Sequence, residues 1–157
     1  MKKLLIISDI HYPSRNKDKH IFTKLEKLIL LSDITICCGD YVSENIIDFI
    51  KTMAKENFMV KGNMDFFEYN LPQKITTIIE NYKIGIIHGE GSPIGIERRV
   101  LRNFDEKPDI IFYGHSHIKE KKEIDKTILI NPGAFCDGNY CFVYLDIIDI
   151  KVDFERI

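Results

Sequence analysis

The sequence predicts an α/β fold in which two packed, mixed β-sheets are flanked by helices. Two observations lead there. In the first half, short apolar runs alternate with stretches of helical periodicity, the pattern of parallel strands joined by right-handed crossovers. In the second half, strand-like runs follow one another closely, as hairpins do. The chain has 157 residues, 45% hydrophobic and 29% charged, which suits one domain over residues 1–157 with a core of its own.

Lys3 to Ile7 is a near-continuous aliphatic run, expected as a strand buried on both faces. It ends at Ser8-Asp9-Ile10-His11, and residues 12–16 read as loop. Asp18 to Ser32 carries Ile21, Phe22, Leu25, Leu28 and Ile29 at helical spacing. His20 falls at the helix start and is expected to face solvent. Asp33 to Cys38 is a second strand, closed by Gly39-Asp40. Ser43 is placed to cap the next helix, which is expected to run to Glu56 with Ile46, Ile47, Phe49, Ile50 and Met53 inward. Residues 57–60 form a short strand that runs into Lys61-Gly62-Asn63-Met64-Asp65, and 66–72 read as loop.

Residues 74–80 and 82–87 are strands joined by a tight turn at Asn81, and the second leads into His88-Gly89-Glu90. A helix is expected over 93–103, with Arg98, Arg99 and Arg102 on a solvated face. Ile110 to Tyr113 is a short strand closed by Gly114-His115-Ser116-His117. Residues i and i+2 of an extended segment project to one side, so His115 and His117 are expected to point together from the end of that strand. A hairpin at 119–125 and 127–130 and two last strands at 140–147 and 151–157 complete the chain.

In parallel α/β sheets, ligands bind beyond the carboxyl ends of the strands. Asp9, His11, Asp40, Asn63, His88, His115 and His117 all fall at such ends. Core packing gives no reason for four of the five histidines to collect there. Three oxygen donors and four imidazoles exceed one tetrahedral site and suit two metals with a bridging group, ~3.5–4 Å apart as in two-metal hydrolases. Such a mixed donor set suits manganese, the expected pair of ions, as well as iron, zinc, nickel or cobalt.

The ordered blocks Asp9-x-His11, Gly39-Asp40, Gly62-Asn63-x-Asp65, His88-Gly89 and Gly114-His115-x-His117 resemble the signature of the calcineurin-like metallophosphoesterases. The small, single-domain bacterial and archaeal phosphodiesterases of that superfamily are the nearest in pattern. The resemblance implies an αββα four-layer sandwich and a phosphodiesterase whose hydrolytic water is activated between two metals. It assigns Asp9, His11 and His117 to the first metal, Asn63, His88 and His115 to the second, and Asp40 to the bridge. Asn63 would keep its NH2 for a phosphate oxygen of the substrate. Asn131-Pro132-Gly133 matches a further family turn, with Ala134 where Ser is usual.

Two positions depart from the family pattern. Met64 stands where larger members carry a histidine that protonates the leaving group, so the proton donor is unassigned. Glu90 stands where many relatives have histidine, and is expected to face water. One member of the superfamily, a retromer subunit, is a binding module with an impaired site, so a non-catalytic scaffold is the alternative function. A complete ligand set favours the enzyme.

Net charge is -2, without the basic excess that nucleic-acid backbones attract. A small phosphate ester is the expected partner, and a nucleotide remains among the candidates. The four cysteines form no C-x-x-C pair and are expected as reduced thiols. The N-terminal apolar run is too short for a signal peptide, and no run approaches ~18 apolar residues. A cytoplasmic protein without membrane contact is expected.

Overall fold

The computed structural model describes residues 1–67 and 69–157; Glu68, within the expected 66–72 loop, lies outside the described residues. One sheet is built from β1 (Lys2–Ile7), β2 (Ile34–Cys37), β3 (Asn57–Met59), β9 (Asn139–Leu145) and β10 (Ile150–Arg156), in the order β10-β9-β1-β2-β3. The other contains β4 (Lys74–Ile79), β5 (Tyr82–Ile87), β6 (Ile110–Phe112), β7 (Lys119–Ile124) and β8 (Thr127–Pro132), in the order β4-β5-β6-β8-β7. Each sheet contains a parallel trio: β1-β2-β3, extended on the β1 side by the antiparallel hairpin β9–β10, and β5-β6-β8, with antiparallel β4 and β7 on its two sides.

Alternation along the strands divides the apolar residues into three layers of packing. Leu4, Ile6 and Ile36 of the first sheet meet Ile86, Phe112 and Ile130 of the second between the sheets. Leu5 and Ile7 face outward against α1 (Ile21–Leu30) and α2 (Glu44–Met53). Ile111, Tyr113 and Leu129 face outward against α3 (Ile96–Arg102). Helix, sheet, sheet and helix are therefore stacked in four layers, as the αββα expectation had it.

The helices are shorter than their periodicity implied. Asn16 accepts the amide of Asp18, and Asp18 accepts that of His20. These side-chain turns compete with helical bonds, so α1 begins at Ile21, with His20 exposed at its N-cap. Gly95, at φ 71°, delays α3 to Ile96. Ala54 turns extended and ends α2 at Met53, and Ser43 occupies the N-cap of α2 without a side-chain capping bond. In the β7–β8 hairpin, Asp125 and Lys126 both have positive φ, as a two-residue type I′ turn requires. Among the described residues no helix is long and apolar enough to cross a membrane.

Candidate metal centre

The loops that follow β1 and β2 continue the pairing of their strands. The amides of Asp9 and His11 donate to the carbonyls of Gly39 and Asp40, each at 3.0 Å. The loop after β3 is drawn against them: a Cβ on Gly62 would lie 2.2 Å from both the amide nitrogen and Oδ1 of Asp40, so only glycine permits this approach. The loop after β6 arrives from the other sheet, where a Cβ on Gly114 would lie 1.8 Å from Ser8 Oγ. The amide of Gly114 donates to the His88 carbonyl at 3.0 Å, which ties that loop to the end of β5.

This arrangement brings all seven expected residues together. His117 Nε2 is 3.2 Å from Asp9 Oδ1 and 3.3 Å from His11 Nε2. His88 Nε2 is 3.3 Å from Asp40 Oδ2 and 3.0 Å from Asn63 Oδ1, and His115 Nδ1 is 2.9 Å from the same Asn63 oxygen. Asp40 Oδ2 is also 3.6 Å from His11 Nε2, so its carboxylate stands between the two groups. Potential ligand atoms of Asp9, His11 and His117, and of Asp9, Asp40 and His88, lie within 4.8 Å of one another.

His115 and His117 do not project together from an extended segment. Their φ values are 67° and 61°, and they face different groups. Asp9, His11 and Asp40 also have positive φ, so five of the nine described non-glycine residues in that region belong to this cluster. Asp and His tolerate it better than branched residues do, but each such residue costs about 1–3 kcal/mol and persists where the surroundings impose it.

Hydrogen bonding reveals what the cluster is suited to hold. His88 Nδ1 lies 2.6 Å from the Cys38 carbonyl and His115 Nε2 lies 2.9 Å from the Gly91 carbonyl. A carbonyl only accepts, so each ring in its neutral, metal-binding form spends an N–H there and turns a lone pair toward Asn63 Oδ1. That outward donation is how metal-bound histidines are held. Acceptor then faces acceptor, an arrangement that a cation between them relieves. Asp9 Oδ1 is buried without a hydrogen-bond partner, and a buried lone pair left so is costly. This donor set fits divalent metals.

Charge follows the same geometry. Burial works to raise the Asp9 carboxyl, but His11, His117, His88 and Ser8 outweigh it and hold it well below the carboxylate range. Burial likewise opposes ionisation of Asp40, and His88 and the Met64 amide reverse that. Burial alone would lower His88; Asp40 and Asp9 raise it. Asp9 contact raises His117. Cys136 also lies near His117, but burial pushes its thiol up to about 11, so it stays protonated near neutrality.

Three further residues support the centre without being among the expected ligands. Asp65 is 2% exposed, and its two oxygens accept the amides of Asp40, Tyr41, Val42 and Gly62 at 2.8–3.0 Å. Burial pushes its carboxyl up while those amides pull it down; with both oxygens occupied it is a brace, not a free acid. Asn131 donates to the Gly114 carbonyl and to Ser116 Oγ, and accepts the Gly133 amide, which gives the Asn-Pro-Gly turn its use. Arg15 lines a cleft of about 310 Å³ with His11, Asn63, Met64, His115 and His117. Its amide donates to the His11 carbonyl at 3.0 Å, and among the described residues no carboxylate forms an ion pair with it.

The remaining expectations divide. Glu90 is exposed, as are Arg98 and Arg102. Arg99 is not a solvated side chain: its guanidinium donates to the carbonyls of Glu90, Ser92 and Ile94 and shapes the loop after β5. The four cysteines are free.

Comparisons with known proteins identify the family of the fold. A probable metallophosphoesterase of Methanocaldococcus jannaschii is 34% identical over 133 residues, 82% of this chain and 66% of that protein, so the match covers just under two thirds of the relative's length. The solution structure of a Thermotoga maritima protein, TM1076, is 32% identical with a TM-score of 0.78 over 100% of both chains. Wild-type Vps29 of Entamoeba histolytica, complexed with zinc, is 25% identical with a TM-score of 0.75, covering 99% of this chain and 98% of that one. The calcineurin-like phosphoesterase superfamily domain matches residues 1–149, and the chain belongs to that superfamily.

Proposed function

We propose that this protein is a metal-dependent phosphodiesterase with a dinuclear centre. Asp9, His11 and His117 would hold one cation, Asn63, His88 and His115 the other, and Asp40 would bridge them. The observation that carries this reading is the crowding of buried acceptor atoms, above all the unpartnered Asp9 Oδ1 beside three imidazoles. Bound there, two divalent ions lower the pKa of a water toward neutrality and neutralise phosphoryl oxygens. Manganese is the expected metal; the zinc complex of Entamoeba histolytica Vps29 supports metal binding by this fold.

The chain's own residues do the rest. The Cys38 and Gly91 carbonyls fix the tautomers of His88 and His115. The Asp65 brace sets the Asp40 backbone. The Asn63 amide NH2 and the planar fork of Arg15, which both line the cleft, would donate to phosphoryl oxygens, which guanidinium matches well. Met64 offers no proton. The cleft beside Arg15 and a second cavity of about 520 Å³ are both lined by Asn63. Two spaces that meet at one metal ligand suit a phosphate with an arm on each side, which is a diester. A small phosphate ester in the cytoplasm completes the reading, since all four cysteines are free as in reducing compartments.

The test is hydrolysis of bis(p-nitrophenyl) phosphate and p-nitrophenyl phosphate by manganese-supplemented protein, with Asp40→Ala beside the wild type. The expected result is faster turnover of the diester and, in the variant, loss of both activity and bound metal. A wild type that loads metal and cleaves neither compound would favour the scaffold alternative. An Asp40→Ala protein with full activity and two metals would remove Asp40 from the bridge.

A further inference from the structure

The 520 Å³ cavity lies on the Asn63–His88 side of the metal centre and is within the size range of small-molecule sites. Phe66, Phe67 and Val100 give it an apolar wall, and Lys61, Gln73 and Glu90 add a cation, an amide and a carboxylate. Phe66 is 84% exposed. Scattered exposed aromatics need no explanation, but this one borders a cavity that opens on the candidate catalytic atoms. A flat, uncovered ring is a stacking platform for a planar base. An amide offers both a donor and acceptors for a base edge. A lysine ammonium suits a phosphate, and a carboxylate suits a ribose hydroxyl. Arg99, which also lines the cavity, is not free to bind a ligand because its guanidinium donates to backbone carbonyls.

The leaving-group chemistry points the same way. Met64 borders the neighbouring cleft and cannot donate a proton, which favours a departing group that is already a weak base. An alkoxide is not; a phosphate is. We infer that the substrate is a nucleotide phosphoanhydride whose departing nucleoside monophosphate occupies the cavity beside Phe66, Gln73 and Lys61. This rests on the hydrolase reading and narrows it. Water oxygen forms a new bond to the distal phosphorus, and the bond from that phosphorus to the bridging oxygen breaks. The nucleoside monophosphate leaves with the bridging oxygen and its electron pair, and the protons of the water pass to solvent. No oxidant or co-reactant is needed.

The experiment measures binding as well as turnover. Manganese-loaded protein is titrated calorimetrically with adenosine monophosphate and with ribose 5-phosphate, which differ by the base. Base stacking predicts tighter binding of the nucleotide by about 5- to 150-fold. Phe66→Ala, at an exposed position where the fold is not at stake, should collapse that ratio toward one. Lys61→Met should weaken both ligands and leave the ratio. Equal affinities in the wild type, or a ratio untouched by Phe66→Ala, would overturn the nucleoside site. In parallel, diadenosine diphosphate should be split to adenosine monophosphate. Cleavage of bis(p-nitrophenyl) phosphate without cleavage of diadenosine diphosphate would overturn the anhydride assignment alone. Cleavage of neither would overturn the hydrolase reading beneath it.

Discussion

Replacing Asp65 with asparagine should destabilise the protein severely although the side chain keeps its shape. The Asp65 carboxylate accepts four backbone amides, two on each oxygen. Asparagine turns one of those oxygens into an NH2 group. Two amides then lose their acceptor and face a donor, and the site is too buried for water to replace it. Leaving a buried donor unsatisfied costs about 1–3 kcal/mol, so the pair costs about 2–6 kcal/mol. That is a large share of the ~5–15 kcal/mol by which domains are stable. Urea unfolding of the metal-free protein reads this directly. At a slope of ~2 kcal/mol per M, the midpoint should fall by about 1–3 M with the slope unchanged. A midpoint within ~0.2 M of wild type, a change no larger than the ~0.5 kcal/mol scatter of ordinary surface substitutions, would refute the idea that Asp65 braces the Asp40–Val42 turn.

Two further substitutions probe the close approaches and the missing acid. Gly114→Ala places a methyl 1.8 Å from Ser8 Oγ and 2.8 Å from Asp9 Oδ2; it should cost at least the ~1–3 kcal/mol of overpacking and reduce metal stoichiometry in equilibrium dialysis, and unchanged metal content would show that the two loops move apart freely. Met64 is 37% exposed and its amide donates to Asp40 Oδ1 at 2.8 Å, so Met64→His should fold and place an imidazole at the cleft. It should accelerate esters with strongly basic leaving groups by up to ~10²–10⁴-fold and leave p-nitrophenolate esters nearly unaffected; equal leaving-group dependence in both proteins would mean that another group already supplies the proton.

The sequence displays the candidate ligands because strand ends are marked by local composition. An aliphatic run that stops at Ser8-Asp9, Gly39-Asp40 or Gly114-His115 reveals both the strand and the residue that emerges from it. The helical stripes beginning at Ile21 and Ile46 were legible for the same reason, and both pack where expected. What local composition does not carry is how the loops then bend. The expectation that His115 and His117 share a side assumed extended backbone, whereas both are left-handed. The contact of Asp65 with Asp40 spans 25 positions, and nothing near Asp65 announces it beyond its place after Gly62-Asn63. Arg15 reaches the cleft because its turn folds back on the His11 carbonyl, and Arg99 serves the backbone because Gly91 and Gly95 bend the loop around it. These placements are tertiary, and periodicity has no access to them.

Anomalous scattering from a manganese-loaded crystal tests the proposal that seven residues hold two cations. Two peaks are expected, ~3.5–4 Å apart as in two-metal hydrolases, one among Asp9, His11 and His117, the other among Asn63, His88 and His115, with Asp40 touching both. A single peak, or a pair that leaves Asp9 Oδ1 unligated, would contradict it.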